Sequence, residues 1–491
     1  MGHKKLSELG LRATAGGDVS VSGLAVDSRL VKEGMLFAAL PGTAVHGGAF
    51  IQYALRMGAS AVLTDAEGAK LAEAELAASD AALIVSENPR QVLAYTAALW
   101  FGAQPETMIA VTGTNGKTSV SSFARMIWQE LGLRAVNLGT TGVEGDWSAP
   151  LAHTTPEPIT LHRTLAAASE AGITHAAMEA SSHGLSQYRL DGVQLAAAGF
   201  TNFTQDHLDY HATFEEYFDA KAALFGRVLG DDGVAVINID DPRGPDMAAI
   251  AQKREIEVIS VGRMEGADIQ LTAQRFHGMG QEVFFKHNSR GYRADLKLMG
   301  GFQAENVLLA AGLVIAAGED PQAVFETLDH METVRGRMQL AATRDNGASV
   351  FVDYSHTPDA IATALKAMSP HVPGRIIAII GAGGDRDTSK RPLMGAAAAA
   401  HADVVIVTDD NPRSETPADI RAAVLQGCPE AYEVGDRAEA ILRGVDLLQA
   451  GDALLIAGKG HETGQTIGDT VLPFDDVEQA SVAVAALEGR I

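Results

Sequence analysis

Met108-Ile109-Ala110-Val111-Thr112-Gly113-Thr114-Asn115-Gly116-Lys117-Thr118-Ser119 joins an apolar run to a turn with two glycines, a lysine and three hydroxyls. Phe123, Met126, Ile127 and Leu131 follow at helical spacing, so the stretch reads as strand, phosphate-binding turn and helix. The glycines let the backbone curl until its N–H groups face one anion, the helix N-terminus adds partial positive charge, and Lys117 adds a full one. The common P-loop, G-x-x-x-x-G-K-[ST], needs a glycine where this chain has Val111, so the turn is a variant. It predicts a nucleotide triphosphate as ligand and names no reaction.

Around this turn the chain has an α/β rhythm. The first hundred residues alternate short strands (61–63, 82–85) with helical stretches (50–57, 91–99), and Gly102-Ala103-Gln104-Pro105 breaks the pattern. Strands at 108–111, 173–178, 196–200 and 234–239 follow, then a β-rich segment over 256–298 and a helix over 307–317. After Val334-Arg335-Gly336-Arg337 a fresh set of strands begins at 350–352, 375–380, 404–407 and 453–457. A chain of 491 residues exceeds one core, and three domains are expected: 1–103, 104–334 with a P-loop-type ATPase sheet, and 335–491 with a doubly wound Rossmann-like sheet.

Composition narrows the class. With 46% hydrophobic and 20% charged residues the chain is an ordinary globular one, and its formal net charge of −24 argues against nucleic acid as a partner. Cys428 is the only cysteine, so no intramolecular disulfide forms and a reducing cytoplasm fits. No run approaches the ~20 apolar residues of a membrane span, so no membrane insertion is expected, and the chain is read as a monomer.

Further polar clusters stand at strand ends, where open α/β sheets place ligands. Glu179 in Glu179-Ala180-Ser181-Ser182-His183-Gly184 is placed to hold Mg²⁺ together with Thr118. Asp206-His207-Leu208-Asp209 precedes Lys221 on a helix; His207 reads as a metal ligand or, with equal weight, as part of a helix cap. Asp353-Tyr354-Ser355-His356, Gly381-Ala382-Gly383-Gly384-Asp385-Arg386, Asp410-Asn411-Pro412-Arg413 and Gly458-Lys459-Gly460-His461-Glu462 close strands of the third domain. The glycines at 381–384 lack the third glycine of a dinucleotide site. Arg386 and Arg413, on adjacent loops, suggest a clamp for a carboxylate, which guanidinium matches with two parallel hydrogen bonds.

Taken together, Thr112–Ser119, Glu179–Gly184, Thr201–His211 with Lys221, Asp353–Asp359 and Asp410–Arg413 resemble the Mur ligase family, and the resemblance runs from Asp27 to Glu462. It implies a UDP-sugar domain, a central ATPase and a C-terminal domain that brings an amino acid. It implies ATP contacts at Gly113, Thr114, Asn115, Gly116, Lys117, Thr118, Ser119, Asn306, Arg337 and Asp353. It implies UDP-substrate contacts at Val26, Ser28, Thr43, Ala44, Val45, His153, Thr154, Thr155, Ser181, Gln187 and Arg189. The amino-acid site it implies comprises Arg386, Asp410, Asn411, Pro412, Arg413, Gly458 and Glu462. Lys117, Glu179, His207 and Lys221 are the implied catalytic group, with Thr118, Glu179, His207 and Lys221 serving two Mg²⁺ ions and Lys221 modified to N6-carboxylysine. The implied substrates are ATP, UDP-MurNAc-L-Ala-D-Glu and meso-diaminopimelate, the last selected by Arg413. A lysine-adding ligase is the nearest rival, disfavoured by Arg413 and Arg386, and a folylpolyglutamate synthase does not explain Asp-Asn-Pro-Arg. Departures from the family pattern are His153 for Asn, Ser119 for a second Thr and Ser355 for Ala.

Overall fold

A computed structural model describes residues 2–42, 45–204 and 210–490. Three principal sheets succeed one another along the chain. The first is parallel, ordered Leu24–Ala25, Leu36–Ala38, Ala61–Thr64, Ala82–Val85. The second has ten strands, and its middle decides the site: Thr107–Thr112 lies between His175–Glu179 and Ala197–Phe200, parallel to both. Ala135–Gly139 and the antiparallel Gly142–Gly145 complete one edge, while Val234–Asn238, Glu257–Gly262 and the meander Ile269–His277, Gly280–His287, Arg290–Leu296 complete the other. The β-rich segment expected over 256–298 is thus an extension of the central sheet.

Register follows from burial on both faces. Met108 and Ala110 enter one apolar cluster while Ile109 and Val111 enter the opposite one, which explains why this strand is a continuous hydrophobic run. The same pairing sets Glu179 opposite Val111 and Phe200 opposite Thr112, so three strands end level and their loops share one edge. Helix Lys117–Glu130 buries Val120, Phe123, Ala124, Ile127 and Trp128, an i, i+3, i+4, i+7, i+8 stripe, against this sheet and the apolar helix Phe302–Ala316.

The third sheet runs Gln339–Thr343, Ser349–Asp353, Ala453–Ala457, Ile376–Ile380, Val404–Val407, Tyr432–Glu433, with only the first strand antiparallel. Ile376, Ala378 and Ile380 pack to one side with Ile361, Leu365 and Met394, and Ile377 and Ile379 to the other with Ile441, Val445 and Val484. Helices therefore cover both faces, the doubly wound arrangement, with loops after Asp353, Ile380, Val407 and Ala457 at a common edge. Among the described residues no helix is long and apolar enough to cross a membrane.

Candidate active site

The turn after Thr112 is built by glycine at two points. Gly113 has φ +148°, and a Cβ there would stand 1.8 Å from Thr201 Oγ1; Gly116 has φ +88°, and its Cβ would stand 2.7 Å from Asn306 Oδ1. Backbone from the neighbouring strand end holds the turn: Thr114 N donates to the Asn202 carbonyl (2.9 Å), Asn115 N to Asn202 Oδ1 (2.9 Å), and Thr201 Oγ1 to the Asn115 carbonyl (2.6 Å). Gly116 is the N-cap of helix Lys117–Glu130, so no side chain caps it, and its first turn carries no acidic residue. An uncapped first turn without an acidic residue suits an anion, as a phosphate site requires.

Cationic charge concentrates at one atom. The Gly113 carbonyl accepts from Lys117 Nζ (2.9 Å) and from Lys221 Nζ (2.7 Å), and Lys117 Nζ also donates to the Thr114 carbonyl (2.9 Å). Lys221 is buried, on helix Phe214–Ala223, with its ammonium 4.4 Å from the centre of the Tyr217 ring. The two side chains thus meet at one carbonyl of the turn.

The carboxylate lies on the other side. Glu179 is buried; Oε1 accepts from Thr118 Oγ1 (2.9 Å) and Thr140 N (2.9 Å), and Oε2 from Thr140 Oγ1 (3.2 Å). Gly139 permits this approach, since a Cβ there would be 2.0 Å from Glu179 Oε1. Arg337, just before strand Gln339–Thr343, donates through Nη2 to Thr118 Oγ1 (3.0 Å) and stacks over Tyr354 at 4.6 Å. A cavity of about 470 Å³ is lined by Thr114–Ser119, Thr154, Glu179, Ser181, Lys221, Asn306, Arg337 and Asp353, together with Thr140 and Tyr354. Asp353 accepts from Met338 N (2.7 Å) and from Ser355 Oγ. Burial pushes its carboxyl above the ordinary value despite Ser355 and the Arg337 charge. Tyr354, pushed up to about 12 by burial and then by Glu462, stays a neutral phenol.

Among the expected UDP-substrate residues, Thr155 Oγ1 donates to the Glu179 carbonyl (2.9 Å) and meets Ser181 Oγ at 3.0 Å. Arg189 donates to the Thr155 carbonyl (2.6 Å) and to Gln187 Oε1 (2.8 Å), so 154–155, 181 and 187–189 form one network against the cavity. His153 is exposed beside it. Val26, Ser28 and Val45 lie apart, lining a second cavity of about 660 Å³ in the first unit with Phe37, Leu40, Phe50 and Tyr53. Thr43, Ala44 and His207 lie outside the described residues.

The expected amino-acid residues gather at the edge of the third sheet. Asn411 Nδ2 donates to Glu462 Oε2 (2.8 Å); a Cβ on Gly458 (φ +116°) would be 2.4 Å from Asp410 Oδ2; a Cβ on Gly383 would be 2.8 Å from Arg413 Nη1 and 3.9 Å from Arg386 Cγ. Pro412 is buried between them, Arg413 Nη1 donates to the Gly384 carbonyl (2.7 Å), and Arg386 is exposed. This cluster adjoins the cavity at Glu179 through Tyr354, whose ring packs on His461 at 4.9 Å, and through Gly458 N, which donates to the Asp353 carbonyl (3.1 Å). Sequence reasoning passed over Thr140 and Tyr354. Thr140 sits in a two-residue turn whose role shows only when strand pairing brings it to Glu179; Tyr354 follows the strand-end Asp353, and an aromatic residue there is the signal that marks it.

Comparison with known proteins agrees with this architecture. Residues 20–100 match the model for the Mur ligase family catalytic domain, 111–314 that for the Mur ligase middle domain, and 336–460 that for the Mur ligase glutamate ligase domain. The chain belongs to the Mur ligase family. Its relatives include the UDP-N-acetylmuramoyl-L-alanyl-D-glutamate–2,6-diaminopimelate ligases of Bradyrhizobium diazoefficiens, 46% identical over 95% of this chain and 96% of that one, and of Caulobacter vibrioides, 46% identical over 99% of each. A solved structure of a ligase of that same name superposes with a TM-score of 0.71 at 34% identity, covering 99% of this chain and all of that one. A MurF ligase from Thermotoga maritima, solved with ADP, shares the fold at 19% identity and TM-score 0.61, over 95% of this chain and 98% of that one.

Proposed function

We propose that this chain is an ATP-dependent amide ligase that joins meso-diaminopimelate to the D-Glu γ-carboxylate of UDP-MurNAc-L-Ala-D-Glu, a step of peptidoglycan precursor synthesis, acting as a cytoplasmic monomer. The observation that carries it is the meeting of Lys117, Lys221, Thr118, Glu179 and Arg337 at one cavity, next to a cluster containing Arg413 and Glu462, in a chain 46% identical over its length to ligases of that name. The three units 1–103, 104–334 and 335–491 then bring the UDP-sugar, ATP and the amino acid respectively. Val26, Ser28, Thr43, Ala44 and Val45 hold the uridine end, and Thr154, Thr155, Ser181, Gln187 and Arg189 the part near the reaction.

A carboxylate does not condense with an amine in water, so the γ-carboxylate oxygen attacks the γ-phosphorus of ATP and ADP leaves. The amine nitrogen then attacks the acyl carbon, phosphate leaves, and the nitrogen gives up a proton. Lys117 and the open helix N-terminus hold the phosphates, Arg337 meets charge arriving beside Thr118, and closure of the third unit keeps water from the acyl phosphate. Mg²⁺ fits the donor set: Thr118 Oγ1 and Glu179 Oε1 are hard oxygens 2.9 Å apart in a buried place. Bound there, it would neutralise phosphate charge. Among the described residues no group of three His, Cys, Asp or Glu gathers for a metal, so a second ion would rely on His207 and on Lys221 after carboxylation. N-carboxylation of Lys221 keeps one N–H for the Gly113 carbonyl and adds oxygens for the ion. The acyl phosphate is tested by labelling the γ-carboxylate with heavy oxygen: the label should appear in released phosphate, and unlabelled phosphate would refute the mechanism.

A further inference from the structure

The loop after strand Ala453–Ala457 contains a lysine, Lys459, that is completely buried. An ammonium has three donors, and here three acceptors meet it: Asn411 Oδ1 (3.2 Å), Glu462 Oε2 (3.1 Å) and the Gly464 carbonyl. No donor is left for a ligand. Asn411 Oδ1 also accepts from Thr466 N (2.8 Å), which settles the orientation of the amide. Its Nδ2 must then face Glu462, and it does, donating to Oε2 at 2.8 Å. Glu462 Oε2 is therefore taken by Lys459 and Asn411, while Oε1 has no hydrogen bond among the described residues and is the oxygen available to a ligand.

We propose that Lys459 is a positioning residue of the amino-acid site: its ammonium locks Asn411 and Glu462 into one arrangement in which Glu462 Oε1 receives the ammonium of the incoming amino acid. The inference rests on the reading of Asp410–Arg413 and Glu462 as that site. The Lys459 ammonium meets the half-buried Glu462 carboxylate from behind, so Oε1 is aimed outward without a second ligand-contacting cation. Arg413, on the neighbouring loop, stays free to meet a carboxylate of opposite sign to the group that Glu462 meets. The pair thus reads a zwitterion by its two charges.

Lys459→Met tests it. The substitution keeps an unbranched side chain, one atom shorter, and removes a buried charge; Asn411 Oδ1 keeps Thr466 N and Glu462 Oε2 keeps Asn411 Nδ2, so the variant should fold. Steady-state constants are measured for meso-diaminopimelate, ATP and UDP-MurNAc-L-Ala-D-Glu, with thermal unfolding and Glu462→Gln in parallel. The expected result is a KM for meso-diaminopimelate raised about 10- to 100-fold, with the other two KM values within about twofold of wild type. An unchanged KM for meso-diaminopimelate in Lys459→Met, with a raised one in Glu462→Gln, overturns the positioning role alone. An unchanged KM in Glu462→Gln removes the amino-acid assignment and the inference with it. A loss spread equally over all three substrates marks Lys459 as a fold staple and also overturns the inference. Should Lys459→Met fail to fold, Lys459→Gln, uncharged but still a donor, is judged by the same readout.

Discussion

Arg413 is the side chain whose loss should change what the enzyme accepts. Its backbone lies at φ +51°, a left-handed conformation costly for a residue with a Cβ, and it is held there by Arg413 N donating to the Thr466 carbonyl (3.1 Å) and Gly468 N donating to the Arg413 carbonyl (2.8 Å). Nη1 is spent on the Gly384 carbonyl, which orients the guanidinium and leaves Nε and Nη2 for a ligand. Arg413→Ala keeps the backbone strain and removes the cation, so the fold loses little while the terminal carboxylate of diaminopimelate loses its partner. Leaving one member of such a pair unpaired costs about 2–5 kcal/mol, or roughly a 30- to 4,000-fold rise in KM for meso-diaminopimelate. KM for ATP, bound across Tyr354 in the other cavity, should not move. Coupled measurement of ADP release at varied meso-diaminopimelate and varied ATP separates the two. A KM for meso-diaminopimelate equal to wild type would refute the reasoning, and equal losses for both substrates would show a folding defect instead.

Other consequences are more local. Gly113→Ala would place a Cβ 1.8 Å from Thr201 Oγ1, displacing the phosphate turn; ATP turnover should fall roughly 100-fold, and an unchanged rate would contradict the assigned role of the turn. Arg437 and Asp476 are fully buried and joined by two 2.7 Å bonds, so Arg437→Met alone should cost about 3–5 kcal/mol in urea unfolding, whereas Arg437→Met with Asp476→Leu should recover most of it. A single-variant cost under about 1 kcal/mol would refute that. His162 is held down to about 4 by burial, against 6.5 when unfolded. Between those values the unfolded chain binds a proton that the folded one does not, so stability is full above pH 6.5 and falls as pH drops toward 4. From pH 7 to pH 5 this amounts to about 2 kcal/mol, which His162→Leu should abolish; parallel profiles of variant and wild type would count against it.

The elements were legible where burial imposes a pattern. Runs such as Ile376–Ile380, buried on both faces, and the amphipathic stripe after Lys117 announce themselves without tertiary information. Strand order was less so, because Thr107–Thr112 pairs with strands that come third and fourth after it in its sheet, and nothing local to those runs states which neighbours they take. The site divides the same way. Glycines and charged groups at strand ends could be read directly, yet Thr140 meets Glu179 only through pairing, and Lys459, inside a quoted motif, shows its part only when Asn411 and Glu462 converge on it from different loops. That Lys221 would share the Gly113 carbonyl with Lys117 likewise requires the helix at 214–223 to pack across the sheet edge.

The central claim is that phosphoryl transfer in this cavity serves amide formation with one particular amino acid. Purified protein with ATP, Mg²⁺ and UDP-MurNAc-L-Ala-D-Glu is supplied with meso-diaminopimelate, L-lysine, L-glutamate or nothing, and released phosphate is followed. Sustained release with meso-diaminopimelate, and background release in the other three mixtures, is the predicted result. Release that ignores the amino acid, or that requires lysine, would contradict the account.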